Sequence, residues 1–111
     1  MYYTYMLRCE DNSIYTGYTD ELNKRMKSHF GDGKQHAKYT KNHKPIKVEI
    51  AWKTKEKSNA CKLEYHIKTL NKKQKEELIL NYKLSKYLSG KIDARRYRKV
   101  DLDKEVNIEY I

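Results

Sequence analysis

The sequence predicts an α+β domain with element order β-β-α-β-α-α, and three observations carry that prediction. Residues 2 to 19 are rich in aromatic and β-favouring residues, interrupted by one cluster of turn formers. Residues 46 to 53, IKVEIAWK, alternate apolar and charged side chains as a half-buried strand does. Between and after these stretches, apolar residues recur three or four apart, the spacing of a one-sided helix.

The run YYTYMLRC from Tyr2 to Cys9 reads as a first strand, and Glu10, Asp11, Asn12 and Ser13 as its turn. Ile14 to Thr19 resumes the β-favouring composition, so the two runs form an antiparallel hairpin. A two-residue turn at Asp11 and Asn12 places Tyr5 and Tyr15 on opposite faces. A three-residue loop from Asp11 to Ser13 places them on one face, and parity alone leaves both open. Asp20 is a good N-cap, with Glu21 complementing the helix dipole in the first turn. Leu22, Met26 and Phe30 follow at fourfold spacing through a helix that Gly31 and Gly33 should end.

Residues 31 to 45, GDGKQHAKYTKNHKP, form a long basic loop carrying Lys34, Lys38, Lys41 and Lys44. Loops of this length in a small domain are often functional. After Pro45 comes the alternating strand, with Ile46, Val48, Ile50 and Trp52 expected on one face and Lys47, Glu49 and Lys53 on the other. Ser58 is a candidate cap for a second helix whose stripe is Ala60, Leu63, Ile67 and Leu70. Asn71 with Gln74 resembles a capping box and restarts the chain as a third helix through about Tyr87, with Leu78, Ile79 and Tyr82 inward. The division that results is a domain over residues 1–87 and a tail over 88–111. The tail is basic, then acidic, with a short strand expected from Val106 to Tyr110.

With 111 residues, 38% hydrophobic and 36% charged, the chain supports one thin core that must draw on its 11 tyrosines. A net charge of +10 favours a polyanionic partner. No run approaches the ~20 apolar residues of a membrane span and no signal-peptide segment opens the chain, so a cytoplasmic protein is expected. Cys9 and Cys61 have no CxxC spacing and read as small buried hydrophobes. No Walker loop, GxSxG or dinucleotide fingerprint is present, and no small-molecule organic cofactor is expected.

Arg25 and His29 lie four apart on a helix and share a face beside Leu22. Arginine suits a phosphate because its fixed fork of donors matches two oxygens and stays charged at any working pH. Glu64 is a carboxylate set beside an apolar helical stripe, where an unpaired charge is costly unless a cation meets it. Lys68, four residues on, is one such cation; Mg²⁺, which takes few protein ligands and keeps its waters, is another.

These pieces, in this order, resemble the GIY-YIG endonuclease superfamily. The first-strand YTY at 3 to 5 stands where the family writes GIY, and YTG at 15 to 17 where it writes YIG. Tyr5 and Tyr15 match the motif tyrosines, Gly17 the motif glycine, Arg25 the catalytic arginine and Glu64 the metal-binding glutamate. His29 stands where many members have histidine and others tyrosine. The likeness runs from residue 2 to about 80, including AKYT of the basic loop and LEYHIKTLNKKQKEELI of the second and third helices. It is greatest to the small single-domain bacterial branch related to the N-terminal domain of the excision-repair endonuclease. Two positions depart: Tyr3 replaces the first glycine and Thr16 the second-motif isoleucine.

The resemblance implies a three-stranded antiparallel sheet flanked by helices. It also implies hydrolysis of a nucleic-acid phosphodiester, in DNA repair or processing, with one Mg²⁺ or Mn²⁺ held by Glu64. Tyr5 or Tyr15 would activate or orient the water, Arg25 would stabilise transition-state charge, and His29 would move a proton or hold the phosphate. Lys34, Lys38, Tyr39, Lys41 and Lys44 of the loop, with Arg95, Arg96 and Arg98, would grip a DNA backbone with little sequence preference. A binding module that keeps this fold with weak or no cleavage is the alternative, and it would not need Glu64 and Arg25 as a pair.

Overall fold

The computed structural model describes residues 1–30 and 43–106. Strands β1 (Tyr2–Cys9) and β2 (Ile14–Thr19) form the expected hairpin, followed by helix α1 (Leu22–Phe30) and strand β3 (Pro45–Thr54). Helices α2 (Lys57–Lys68), α3 (Lys72–Asn81) and α4 (Leu84–Leu88) come next. A 3₁₀ turn at Ala94–Arg96, strand β4 (Arg98–Lys99) and helix α5 (Leu102–Glu105) complete the order. Every neighbouring pair of strands is antiparallel, in the order β2-β1-β3-β4. Among the described residues the sheet therefore has four strands rather than the three expected. The added one is a two-residue segment too short to leave a compositional signal.

The hairpin loop is Glu10 to Asn12. Cys9 N–H donates to the Ser13 carbonyl at 2.9 Å, Asn12 N–H to the Cys9 carbonyl at 2.9 Å, and Asn12 takes the left-handed conformation at φ 67°. Asparagine tolerates that conformation at the end of a three-residue loop. The register pairs Tyr5 with Gly17 and Leu7 with Tyr15, which puts Tyr5 and Tyr15 on one face. The odd loop length was the relevant alternative, but the loop sits one residue earlier than either expected form.

β3 departs from its simple alternation. Opposite β1 its register shifts between Ile50 and Val48 and again between Lys47 and Pro45, leaving Glu49 and Ile46 as extra residues. Each bulge changes which face the next residue meets. Ile50 and Trp52 pack with the α2–α4 side, whereas Val48 and Ala51 pack on the α1 side, and Ile46 is exposed. Two apolar layers result, one on each face of the sheet. Met6, Leu63, Ile67, Leu78 and Leu88 build the first; Tyr5, Leu7, Leu22 and Met26 build the second.

The helix signals fare unevenly. Asn71 and Gln74 make a complete capping box: the Gln74 amide donates to the Asn71 side chain at 2.8 Å and the Asn71 amide to the Gln74 side chain at 3.1 Å. Ser58 does not cap α2; it lies inside the first turn, and Glu56 holds the N-cap position without a side-chain bond. Helix α1 starts at Leu22, one residue later than Asp20 capping requires. The Glu21 amide donates instead to the Thr19 hydroxyl at 3.1 Å. The third helix stops at Asn81, because Tyr82 adopts φ 61° and caps it. Tyr82 is exposed rather than inward, its ring 4.0 Å from the Lys99 ammonium.

Residues 88–106, set apart as a tail by composition, contribute Leu88 and Tyr97 to one layer and Val100 and Val106 to the other. Their hydrogen bonds tie them down as well. The Val100 amide donates to the Ala51 carbonyl at 2.8 Å, and the Asn23 side-chain amide to the Glu105 carbonyl at 2.9 Å. The strand expected from Val106 to Tyr110 lies, beyond Val106 itself, outside the described residues, as do Gly31 and Gly33. Cys9 is buried and Cys61 half-buried, both with free thiols. Among the described residues no helix is long and apolar enough to cross a membrane.

Candidate active site

Four of the five expected catalytic side chains meet on the α1 face of the hairpin, and the register explains how. Tyr5 and Tyr15 are diagonal neighbours across β1 and β2, with ring centroids 6.2 Å apart. His29 comes down from the last turn of α1 and closes a triangle of rings, 5.5 Å from Tyr5 and 5.4 Å from Tyr15. Its Nε2 is 2.8 Å from the Tyr5 hydroxyl, and Arg25 Nε donates to that hydroxyl at 3.4 Å. Arg25 and His29 thus converge on one phenol because they lie one turn apart on the helix.

Gly17 is the floor of this cluster. A Cβ at that position would stand 2.6 Å from the Tyr5 hydroxyl oxygen and 3.0 Å from the Tyr15 ring. The motif glycine is therefore required by the ring lying against it and not by a turn. Beside it, Thr16 is buried, and its hydroxyl finds no hydrogen-bond partner among the described residues. A buried orphan hydroxyl costs about 1–3 kcal/mol.

The two tyrosines differ in environment. Tyr5 is 1% exposed, and burial pushes its phenol well above the ordinary value, against the opposing pull of its bond to Arg25. Its hydroxyl lies between His29 Nε2 and Arg25 Nε and bridges the two. Tyr15 is half-buried and reaches solvent. His29 is buried and touches the Tyr5 hydroxyl.

Glu64 approaches from the other face. Helix α2 packs across β1 and β2, with the buried Thr4 hydroxyl donating to the Ala60 carbonyl at 2.8 Å. This seats Glu64 at the hairpin's margin, close enough for its charge to disfavour ionisation of both Tyr5 and Tyr18. Its ion pair is Lys68, at 3.5 Å, and the Lys68 ammonium also lies 5.9 Å from the Tyr15 ring centre. Lys68 therefore links the carboxylate to the tyrosine cluster, a role its spacing from Glu64 announced only as a helix pair. Tyr18 is a further neighbour that composition did not flag. Strand alternation after Gly17 sends it to the α2 side, towards Glu64 and Cys61.

Among the described residues no three His, Cys, Asp or Glu side chains stand close enough to hold a metal ion together. A zinc centre does not fit such a donor set. A hydrated hard cation on one carboxylate does, because Mg²⁺ keeps most of its waters.

The residues expected to bind nucleic acid are dispersed. Lys34, Lys38, Tyr39 and Lys41 lie outside the described residues. Lys44 is exposed beside the hairpin loop, where its carbonyl accepts from the Glu10 amide at 2.7 Å. Arg95, Arg96 and Arg98 are exposed at the β4 edge of the sheet, away from the tyrosines. None of these four joins the tyrosine cluster.

A hairpin carrying two facing tyrosines over a glycine, with an arginine and a histidine from the next helix, defines a nuclease-type fold, and the chain belongs to the GIY-YIG catalytic-domain family, which it matches over residues 1–77. Its relatives are small bacterial proteins. It is 44% identical over 103 residues to the UPF0213 protein FN1575 of Fusobacterium nucleatum, covering 93% of this chain and 96% of that one. It is 42% identical over 85 residues to the UPF0213 protein YazA of Bacillus subtilis, covering 77% and 84%. The solution structure of the UPF0213 protein BH0048 from Bacillus halodurans is 31% identical, covers 80% of this chain and 98% of its own, and superposes with a TM-score of 0.48.

Proposed function

We propose that this protein is a metal-dependent endonuclease that hydrolyses nucleic-acid phosphodiester bonds, with DNA as substrate and little sequence preference, in repair or DNA processing. One observation carries the reading. Among the described residues Arg25 sits against two phenols and no carboxylate, so its charge is held in place and left for an incoming phosphate.

Tyr5, fixed by His29, holds Arg25 Nε, and Tyr15 bonds the same guanidinium, so its remaining donors are aimed from the tyrosine cluster towards an incoming phosphate. As charge builds on the phosphoryl oxygens, Arg25 stabilises it. Tyr15, the solvent-facing phenol, orients the attacking water by a hydrogen bond to its hydroxyl. A bound Mg²⁺ or Mn²⁺ on Glu64 would supply Lewis acidity and lower the proton affinity of that water. Lys68 shields Glu64 when no other cation is present. His29 is a positioning residue, acting through the Tyr5 hydroxyl.

The test is cleavage of branched, single-stranded and duplex DNA with and without Mg²⁺ or Mn²⁺, beside Glu64→Ala and Arg25→Ala. Metal-dependent cutting that falls at least about 10²-fold in each variant is expected, with melting curves unchanged. Cutting that persists in Glu64→Ala overturns the assignment of the metal site. Binding without cutting in every case replaces the nuclease with a binding module.

A further inference from the structure

Beyond the tyrosine cluster, the opposite edge of the sheet holds a cavity of about 310 Å³. Lys53, Lys55, Arg95, Arg96 and Arg98 line it, and among the described lining residues Glu56 is the one carboxylate. The cations have three sources: the end of β3, the 3₁₀ turn and β4. The pairing of Lys53 with Arg98 across the ladder brings these segments together. Asp93 at the base of the turn holds Arg95 at 3.0 Å and Arg96 at 3.7 Å, one carboxylate shared by two guanidiniums. Lys53 is matched by Glu105 at 2.6 Å. No carboxylate of the described residues pairs with Lys55 or Arg98, so the cavity carries uncompensated positive charge. Helix α2 begins at this cavity, with Glu56 at its N-cap and no acidic residue in its first turn.

We infer that this cavity is a second phosphate-binding site, which holds the backbone of the same nucleic-acid strand that enters the tyrosine cluster; the inference rests on the nuclease reading. Its geometry fits that partner. β4 lies two strand spacings from β1, about 10 Å, and Lys53 lies two residues along β3 from the partner of Tyr5, about 7 Å. The straight-line separation is therefore on the order of 12 Å, a span of only a few nucleotides. A strand held at both places runs from the β2 edge towards the β4 edge, and the cavity fixes its register while reading no bases. Arginine and lysine from three separate segments suit a run of phosphates better than one small anion, which a single bidentate arginine would satisfy.

The experiment is fluorescence anisotropy of a labelled 20-bp DNA duplex without divalent metal, titrated at several salt concentrations. The proteins are the parent, Lys55→Gln with Arg98→Gln, and Lys73→Gln with Lys83→Gln. The last pair removes the same charge from α3 and the start of α4, where both lysines are exposed. The cavity pair is expected to weaken low-salt binding about tenfold or more and to flatten the slope of log K against log salt by about 2, roughly 0.9 per lost phosphate contact. The single variants should each flatten it by about 1, which covers any folding defect of the pair. Equal losses in the Lys73 and Lys83 pair, or no binding by the parent at low salt, overturn the inference. Because the readout is metal-free binding, it can succeed while cleavage fails, or fail while Glu64-dependent cleavage stands.

Discussion

Arg8 and Arg25 both sit against the sheet, and their surroundings differ in one respect that separates structure from chemistry. Arg8 leaves β1 and meets two carboxylates: Nε donates to Glu49 at 3.0 Å, and Nη1 to Glu76 at 2.7 Å. Its guanidinium also bonds Glu76 through Nη2. Glu49 is the residue extruded by the β3 bulge, so the bulge delivers a carboxylate that pins α3 to the sheet through Arg8. Arg25 meets Tyr5 and Tyr15, which can orient a guanidinium but cannot cancel its charge. A neutralised arginine is a staple. An oriented, unneutralised one is a site for an anion.

Exchanging the probes should separate the two roles. Arg8→Ala removes the guanidinium bonds to Glu49, whose side chain is 10% exposed and keeps only the more exposed Lys47 at 3.2 Å, and to Glu76, and is expected to cost about 2–3 kcal/mol of unfolding free energy in urea. The specific activity of the folded fraction should survive. Arg25→Ala should do the reverse, and equal effects of both on the melting curve would erase the distinction. Gly17→Ala comes next, at about 1–3 kcal/mol, because the methyl must displace the buried Tyr5 ring. It should lower stability and activity together, which neither arginine variant does.

Acid and alkali should sharpen the contrast further. Arg8 holds the Glu76 carboxyl below its ordinary range, so that contribution is complete above about pH 4.3 and is lost as pH falls below it. Burial raises the Tyr5 phenol, so its contribution is complete below about pH 10 and is lost as pH rises beyond that. Urea midpoints measured across pH should show both limbs, and Arg8→Ala should flatten the acid limb alone. The smallest effect is a gain: Thr16→Val removes the orphan hydroxyl at nearly constant shape and should add about 1 kcal/mol, read as a higher melting temperature.

What the sequence disclosed divides along the same line, between short-range and long-range causes. The Asn71–Gln74 box is legible because donor and acceptor are three residues apart. Arg25 and His29 sharing a face is legible for the same reason, and the order of Tyr5, Tyr15, Gly17 and Glu64 is legible as a family pattern. The two bulges of β3 are not, because Glu49 and Ile46 are extruded by pairing with β1 and not by their own chemistry. β4 is invisible for a related reason: Arg98 and Lys99 become a strand only by meeting Lys53 and Trp52. Tyr82 looked like part of an apolar stripe, yet its left-handed backbone ends the helix there.

The packing of Val100 and Val106 against the layer of Leu22 and Met26 sets the order in which the site can be assembled. The helix bearing Arg25 and His29 is nine residues long, too short to be stable without tertiary support. Part of that support lies more than seventy residues downstream. Loop closure over such a separation is slow compared with forming the hairpin. A chain emerging N-terminus first exposes Tyr5, Tyr15, Arg25, His29 and Glu64 well before Val100 exists. The tyrosine cluster is therefore completed late in folding, and a partly made chain carries all of its residues without a seated helix to arrange them.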